Sequence, residues 1–183
     1  MKSKNYVVYT ALFGNYDDLL EPAPSNDCDY ICFTDATHLQ SNNWKIQIVS
    51  GNLSAKMMNR VYKVKPHEYL KNYKASIYLD SNIKILKDPV SLFQRYLDSS
   101  NFLTLKHAER DCIYSEALIA MASKKADYKV TMDQMFSYAK EGYPANNNLT
   151  ENRILIRNHN DVHVIRLMEM WWNELNARTQ RDQ

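Results

Sequence analysis

YVVYTALFG, residues 6–14, is the run whose pattern decides the fold class. It is apolar and rich in β-formers without clear alternation, as expected of a strand covered on both faces, and it breaks at Gly14-Asn15. Three further runs repeat the style. YICFT (30–34) ends at Asp35, WKIQIV (44–49) ends at Ser50-Gly51, and ASIYL (75–79) delivers Asp80-Ser81-Asn82 at its carboxyl end. Residues 102–105 and 153–157 (RILIR) read as two later strands.

Helical patterns fill the intervals. Residues 54–62 favour helix, and Pro66 suits the first position of another turn over residues 67–73. Asp88-Pro89 reads as an N-cap acid before an N1 proline, with Val90, Phe93, Tyr96 and Leu97 then falling on one face. Residues 112–123 and 127–141 read as helices, the second stopped by Gly142 and Pro144. Over residues 161–177, Val164, Met168, Trp171 and Leu175 form an apolar stripe. This alternation predicts an α/β fold: a mostly parallel sheet flanked by helices on both faces, binding ligands beyond the carboxyl ends of its strands.

At 183 residues without an internal repeat or linker, the chain is expected to form one domain over residues 1–183. The 23 basic and 21 acidic residues are spread along the chain, which argues against a nucleic-acid partner. Cys28, Cys32 and Cys112 are an odd number without zinc-site or redox spacing, and they read as structural thiols. The N-terminus lacks the apolar core of a signal peptide, and no run approaches the ~18 apolar residues of a membrane span. A cytoplasmic protein with no integral membrane segment is expected, meeting the membrane only through its acceptor.

Candidate chemistry gathers after the strands. Asp80 and Asn82 are oxygen-bearing side chains one residue apart, suited to sharing Mn²⁺ or Mg²⁺ with substrate phosphates, although a turn after a strand favours the same residues. Asp35 can accept hydrogen bonds from a ribose or base, or cap a turn. Thr10, Ala11, Phe13 and Gly14 close the first strand, where a missing side chain lets a nucleotide lie close. Lys56, Arg60 and Lys63 share one helical face that would attract a diphosphate. His107 and Arg110 cluster with Glu116, while Glu151 and Asn152 precede the last strand; these can hold sugar hydroxyls. The phosphate-binding glycine loops, the dinucleotide fingerprint and the nucleophile elbow are all absent from the sequence.

The ordered series VVYTALFGNYDDL, DYICFTD, WKI, AKMMNRVYKVKPHEYL, ASIYLDSNIKI, HAERDCIYSEA, LTENRILIRNH, MWWNEL and RDQ resembles the glycosyltransferase-like family catalogued as domain of unknown function 616. That family includes plant Golgi proteins implicated in mucilage and cell-wall polysaccharide synthesis. The resemblance implies a GT-A, Rossmann-like fold and a glycosyltransferase that moves a sugar from a nucleotide-sugar donor to a glycan or other acceptor with Mn²⁺ or Mg²⁺. A catalytically silent nucleotide-sugar or glycan-binding domain is the alternative. On this resemblance Asp80 and Asn82 take the place of the Asp-X-Asp metal motif, with a neutral amide where the fuller motif has an acid. Asp182-Gln183 resembles the Asp-Gln pair beside the reacting sugar, as base or as stabiliser of positive charge. Related sequences continue past this point, as expected if the domain is trimmed at its C-terminus.

Overall fold

The computed structural model describes residues 4–182. Its elements are β1 (Tyr6–Leu12), β2 (Cys28–Thr34), β3 (Lys45–Ile48), α1 (Ala55–Val64), α2 (Pro66–Tyr69), β4 (Ala75–Leu79), α3 (Val90–Tyr96), β5 (Phe102–Lys106), α4 (Ile113–Ala122), α5 (Tyr128–Lys140), β6 (Thr150–Arg157) and α6 (Val162–Ala177). Each expected element is present, with ends displaced by a few residues. The largest displacement is at α2, which spans a single turn.

The six strands form one sheet in the order β3-β2-β1-β4-β6-β5. β1 pairs in parallel with β2 and β4, and β2 with β3, whereas β6 runs antiparallel to both β4 and β5. The expected mostly parallel sheet is therefore corrected to a mixed one. Apolar runs report burial rather than direction, and the chain passes through α4 and α5 between β5 and β6 before inserting β6 in reverse. One local signal was available: β6 (TENRILIR) intermixes exposed and buried positions, as antiparallel strands do more often than central parallel ones.

Two cores follow the pleat of β1. Val7, Tyr9 and Ala11 pack with Phe33, Tyr78, Leu155 and the α1 residues Met58, Val61 and Tyr62, with Trp171 and Trp172 of α6 partly buried against them. Val8 and Leu12 pack with Tyr30, Cys32, Ile77, Leu79 and Phe93 of α3. Tyr6 stacks on Phe93 with ring centroids 4.5 Å apart. The three cysteines are buried and free.

Helix starts obey local chemistry. The side chains of Ser54, Asp127 and Asp161 accept backbone N–H bonds in the first turns of α1, α5 and α6. Asp88 does the same for Val90 at 3.0 Å, although Pro89 occupies the cap position itself.

From β1 the chain moves outward through β2 and β3, then returns to place β4 on the other side of β1. This reversal leaves a crevice beyond the carboxyl ends of β1 and β4. Gly14 turns the chain there with φ +71°, and a Cβ at this position would meet the Ala55 Cβ at 2.9 Å. Gly14→Ala is expected to cost about 1–3 kcal/mol from the left-handed backbone and the close approach. Urea unfolding of the variant beside the parent measures it.

Candidate active-site cleft

The crevice is a cleft of about 610 Å³. β1 and its following loop contribute Ala11, Phe13, Gly14, Tyr16 and Asp17; α1 contributes Lys56, Asn59 and Arg60; β4 contributes Tyr78 and, just beyond it, Asp80. The α4–α5 turn adds Lys124 and Lys125, and the segment after α6 adds Arg181 and Asp182. Residues separated by most of the chain thus converge at one end of the sheet.

An ion cluster forms one wall. Lys63, only 1% exposed, lies at the end of α1, and its ammonium donates to Asp182 Oδ2 and lies 3.5 Å from Asp80 Oδ1. Arg60 reaches Asp182 Oδ1 at 3.1 Å and donates from Nε to the Gln180 carbonyl at 3.2 Å. Tyr78 donates its hydroxyl to Asp80 at 2.9 Å. Burial pushes the Asp182 carboxyl up, but the neighbouring Lys63 and Arg60 charges outweigh it and hold the group at about 2. Asn152 donates its side-chain amide to the Asp182 carbonyl. β6 brings Asn152 here because, running antiparallel, it starts beside the carboxyl end of β4.

Beneath this wall Arg157 is fully buried. It donates to the Tyr9 hydroxyl and, at 2.8 Å, to the Lys63 carbonyl, which fixes the α1 terminus from which Lys63 projects. The Tyr9 hydroxyl is raised to about 12, by burial above all, with Arg157 opposing.

The expected site residues divide into groups. Ala11, Phe13, Gly14, Arg60, Asp80 and Asp182 line the cleft. Lys63 and Asn152 stand behind its wall and hold Asp182. Thr10 is fully buried on β1, and Asp35 is exposed, accepting the Gly14 N–H at 3.1 Å and so shaping the turn. Asn82 is exposed and donates to Asp17 at 3.4 Å. His107 and Arg110 bond each other at 2.9 Å; Arg110 pairs with Glu116 at 2.6 Å, and Glu116 with Arg181 at 3.1 Å. They reach the cleft only through Arg181. Glu151 pairs with Arg153 at 2.8 Å. Gln183 lies outside the described residues.

Sequence reasoning missed Tyr16, Asp17, Lys124, Lys125 and Arg181. Asp17 carried a weak signal, an acid just past a Gly-Asn turn. Burial raises its carboxyl, with the Asp80 and Asp18 charges adding to the shift. Lys124 and Lys125 carried none, since a lysine pair in a turn normally reads as solvated surface. Among the described residues, neither their ammoniums nor that of Lys56 has a hydrogen-bond or ion-pair partner. The Lys56 ammonium is lowered by burial and then by the Arg60 and Arg181 charges, with Asp182 opposing. The cleft therefore combines unpaired ammoniums with carboxylates.

Comparison with known proteins adds the family. A probable hexosyltransferase of Arabidopsis thaliana, MUCI70, is 25% identical over 212 residues, covering 98% of this chain and 36% of that protein. The chain thus spans 36% of the length of the curated relative it matches. No solved structure matches it significantly. The sequence profile of the TOD1/MUCI70 glycosyltransferase-like domain matches residues 1–183. With that match over its whole length, the chain belongs to the TOD1/MUCI70 glycosyltransferase-like family.

Proposed function

We propose that this domain transfers a sugar from a nucleoside-diphosphate donor to a saccharide acceptor, on a sheet of the GT-A, Rossmann-like kind. One observation carries the reading: Asp80, Lys56, Arg60 and Asp182 line a single cleft at the carboxyl ends of β1 and β4, where the strand order reverses. Family membership supports the class of reaction.

The nucleotide would lie against Ala11, Phe13 and Gly14. Lys56, Lys124 and Lys125, whose ammoniums are unpaired among the described residues, would meet the diphosphate. The sequence-based assignment of that role to Lys63 gives way, because its ammonium is spent on Asp182 and Asp80.

Asp80, with the half-buried Asp17 beside it and Asn82 hydrogen-bonded to Asp17, offers the hard oxygen donors that Mn²⁺ or Mg²⁺ prefers. The carboxylates fit a cation, because among the described residues their mutual repulsion is opposed on the Asp80 side by one side-chain cation, Lys63 at 3.5 Å, and by the Tyr78 hydroxyl at 2.9 Å. A bound cation would supply Lewis-acid stabilisation of the departing diphosphate.

Asp182 has both oxygens occupied, by Lys63 and Arg60, and stays ionised far below neutral pH. A general base works best with a pKa near the working pH, so this carboxylate is poorly suited to deprotonating an acceptor. Its fixed negative charge suits the other role, stabilising positive charge that develops at the anomeric carbon.

Calorimetric titration with UDP, GDP and their sugars, with and without Mn²⁺, tests the reading. Micromolar binding strengthened by Mn²⁺ is expected, with slow release of free sugar detected by mass spectrometry. Binding without release over long incubation would instead identify a silent binding module. No binding of any nucleoside diphosphate would remove the donor assignment.

A further inference from the structure

Arg181 stands in the cleft with its place fixed from three sides. Arg60 donates to the Gln180 carbonyl at 3.2 Å and Asn152 to the Asp182 carbonyl, so the backbone on either side of Arg181 is tied to α1 and to β6. Its guanidinium is tied to α4, where Nη2 donates to Glu116 Oε1 at 3.1 Å.

Glu116 is 6% exposed, and Arg110 already supplies it with a counter-ion. Its Oε2 accepts from Arg110 Nε at 2.6 Å, and Arg110 is itself set by His107, whose Nδ1 accepts the Arg110 backbone N–H at 3.1 Å. One buried carboxylate thus serves two guanidiniums, the second from 65 positions along the chain. The cleft gains a cation among cations. Lys56, Arg60 and Arg181 all line it, and the Arg60 and Arg181 charges add to burial in lowering the Lys56 ammonium. Like charges gathered in one cleft repel, and a bound anion relieves that repulsion. Glu116 on Arg181 and Asp182 on Arg60 are the counter-charges that let the folded chain keep the group assembled. An arginine side chain gives up rotamer freedom when it grips a ligand, and one already pinned gives up less.

We propose that Arg181 is a phosphate-binding residue of the cleft and that Glu116 is its positioning residue, holding the guanidinium where a diphosphate beside Lys56 meets it. That the anion is the donor's diphosphate rests on the sugar-transfer reading; the anion seat does not. Charge and position predict opposite signs at Glu116. Removing a carboxylate 3.1 Å from Arg181 raises the local positive potential, so by charge alone Glu116→Gln would bind an anion more tightly. Loss of positioning weakens binding instead.

Metal-free calorimetric titration with inorganic pyrophosphate, then with UDP and GDP, tests the assignment in Arg181→Ala, Glu116→Gln and the double variant. Arg181→Ala is expected to bind pyrophosphate about tenfold more weakly, the scale of one lost charge-assisted hydrogen bond, and to fold, because Glu116 retains Arg110. Glu116→Gln should lose about fivefold in the parent and less than about twofold in Arg181→Ala, since a residue acting through Arg181 has nothing to act on once it is gone. Glu116→Asp, which keeps the charge and shortens the reach, should weaken binding in the same way, so the test does not depend on the fold tolerating the amide. Equal losses in the two backgrounds would show a merely structural role and overturn the proposal, as would tighter binding by Glu116→Gln or unchanged affinity in Arg181→Ala. A parent that binds pyrophosphate but neither UDP nor GDP would keep the anion seat and remove the donor reading, whereas a parent that binds no pyrophosphate would remove the seat.

Discussion

Asp182→Asn is expected to lose about 2–5 kcal/mol of stability at neutral pH, and with it most sugar-transfer activity. The substitution leaves the Lys63 ammonium, whose side chain is 2% exposed, with Asp80 at 3.5 Å as its remaining carboxylate. The upper end is the usual cost of stripping one partner from a buried ion pair. The lower end follows from linkage. The folded carboxyl sits at about 2 against 3.8 for a free aspartate, a gap worth about 2 kcal/mol. Since the folded value is depressed, this stability is fully present above pH 3.8 and is lost as pH falls toward 2. For a chain this size the neutral-pH loss corresponds to roughly 5–15 °C in melting temperature. Calorimetry of both proteins from neutral pH downward is the measurement: the variant should start lower and lose less on acidification. Matching melting temperatures at pH 7 would show that Asp182 is not the counter-ion of Lys63.

Asp80→Ala should behave in the opposite way, sparing the fold and removing the ligand effect. Its side chain is 29% exposed, and Lys63 keeps Asp182 when Asp80 is gone. The Tyr78 hydroxyl loses its acceptor but borders the cleft, where water can replace it. Mn²⁺-enhanced binding of UDP or GDP is expected to fall by about 100-fold or more, because a hard cation in such a site relies on one or two protein carboxylates. Metal-free binding, carried by the lysines, should change by less than about threefold, the scale of a weak exposed charge contact. Asn82→Ala should cost less than Asp80→Ala, since Asn82 reaches the cleft only through Asp17. Titration of the two variants with and without Mn²⁺ gives the comparison, and retention of the Mn²⁺ effect in Asp80→Ala would dismiss the metal role of Asp80.

Family, element positions and part of the lining of the candidate cleft were legible in the residues. The nine ordered blocks pointed to a glycosyltransferase-like family, and the whole-length profile match supports that coarser reading. Asp80 stood out because ASIYL is an apolar strand ending in Asp-Ser-Asn, and strand ends are where such sheets present ligands. Lys63 and Asn152 were also singled out, yet for contacts with ligand rather than with Asp182. The Lys63–Asp182 pair closes across 119 positions of sequence, and no spacing rule within a helix announces a partner so remote. His107 and Arg110 show the same effect: each is a good sugar ligand by chemistry, but Glu116 already holds the Arg110 guanidinium, and the His107 ring nitrogens are taken by that guanidinium and by the backbone N–H groups of Glu109 and Arg110.

What the sequence determined by itself was the local pattern: which runs are strands, which are helices, and which faces are apolar. Those properties follow from side-chain periodicity and turn chemistry within a few residues of each position. Tertiary structure alone decided that β6 enters in reverse between β4 and β5, that Lys124 and Lys125 border the cleft, and that Lys63 is consumed internally. Strand direction and charge pairing depend on which distant segments meet, and that is a property of the assembled chain, not of any window along it.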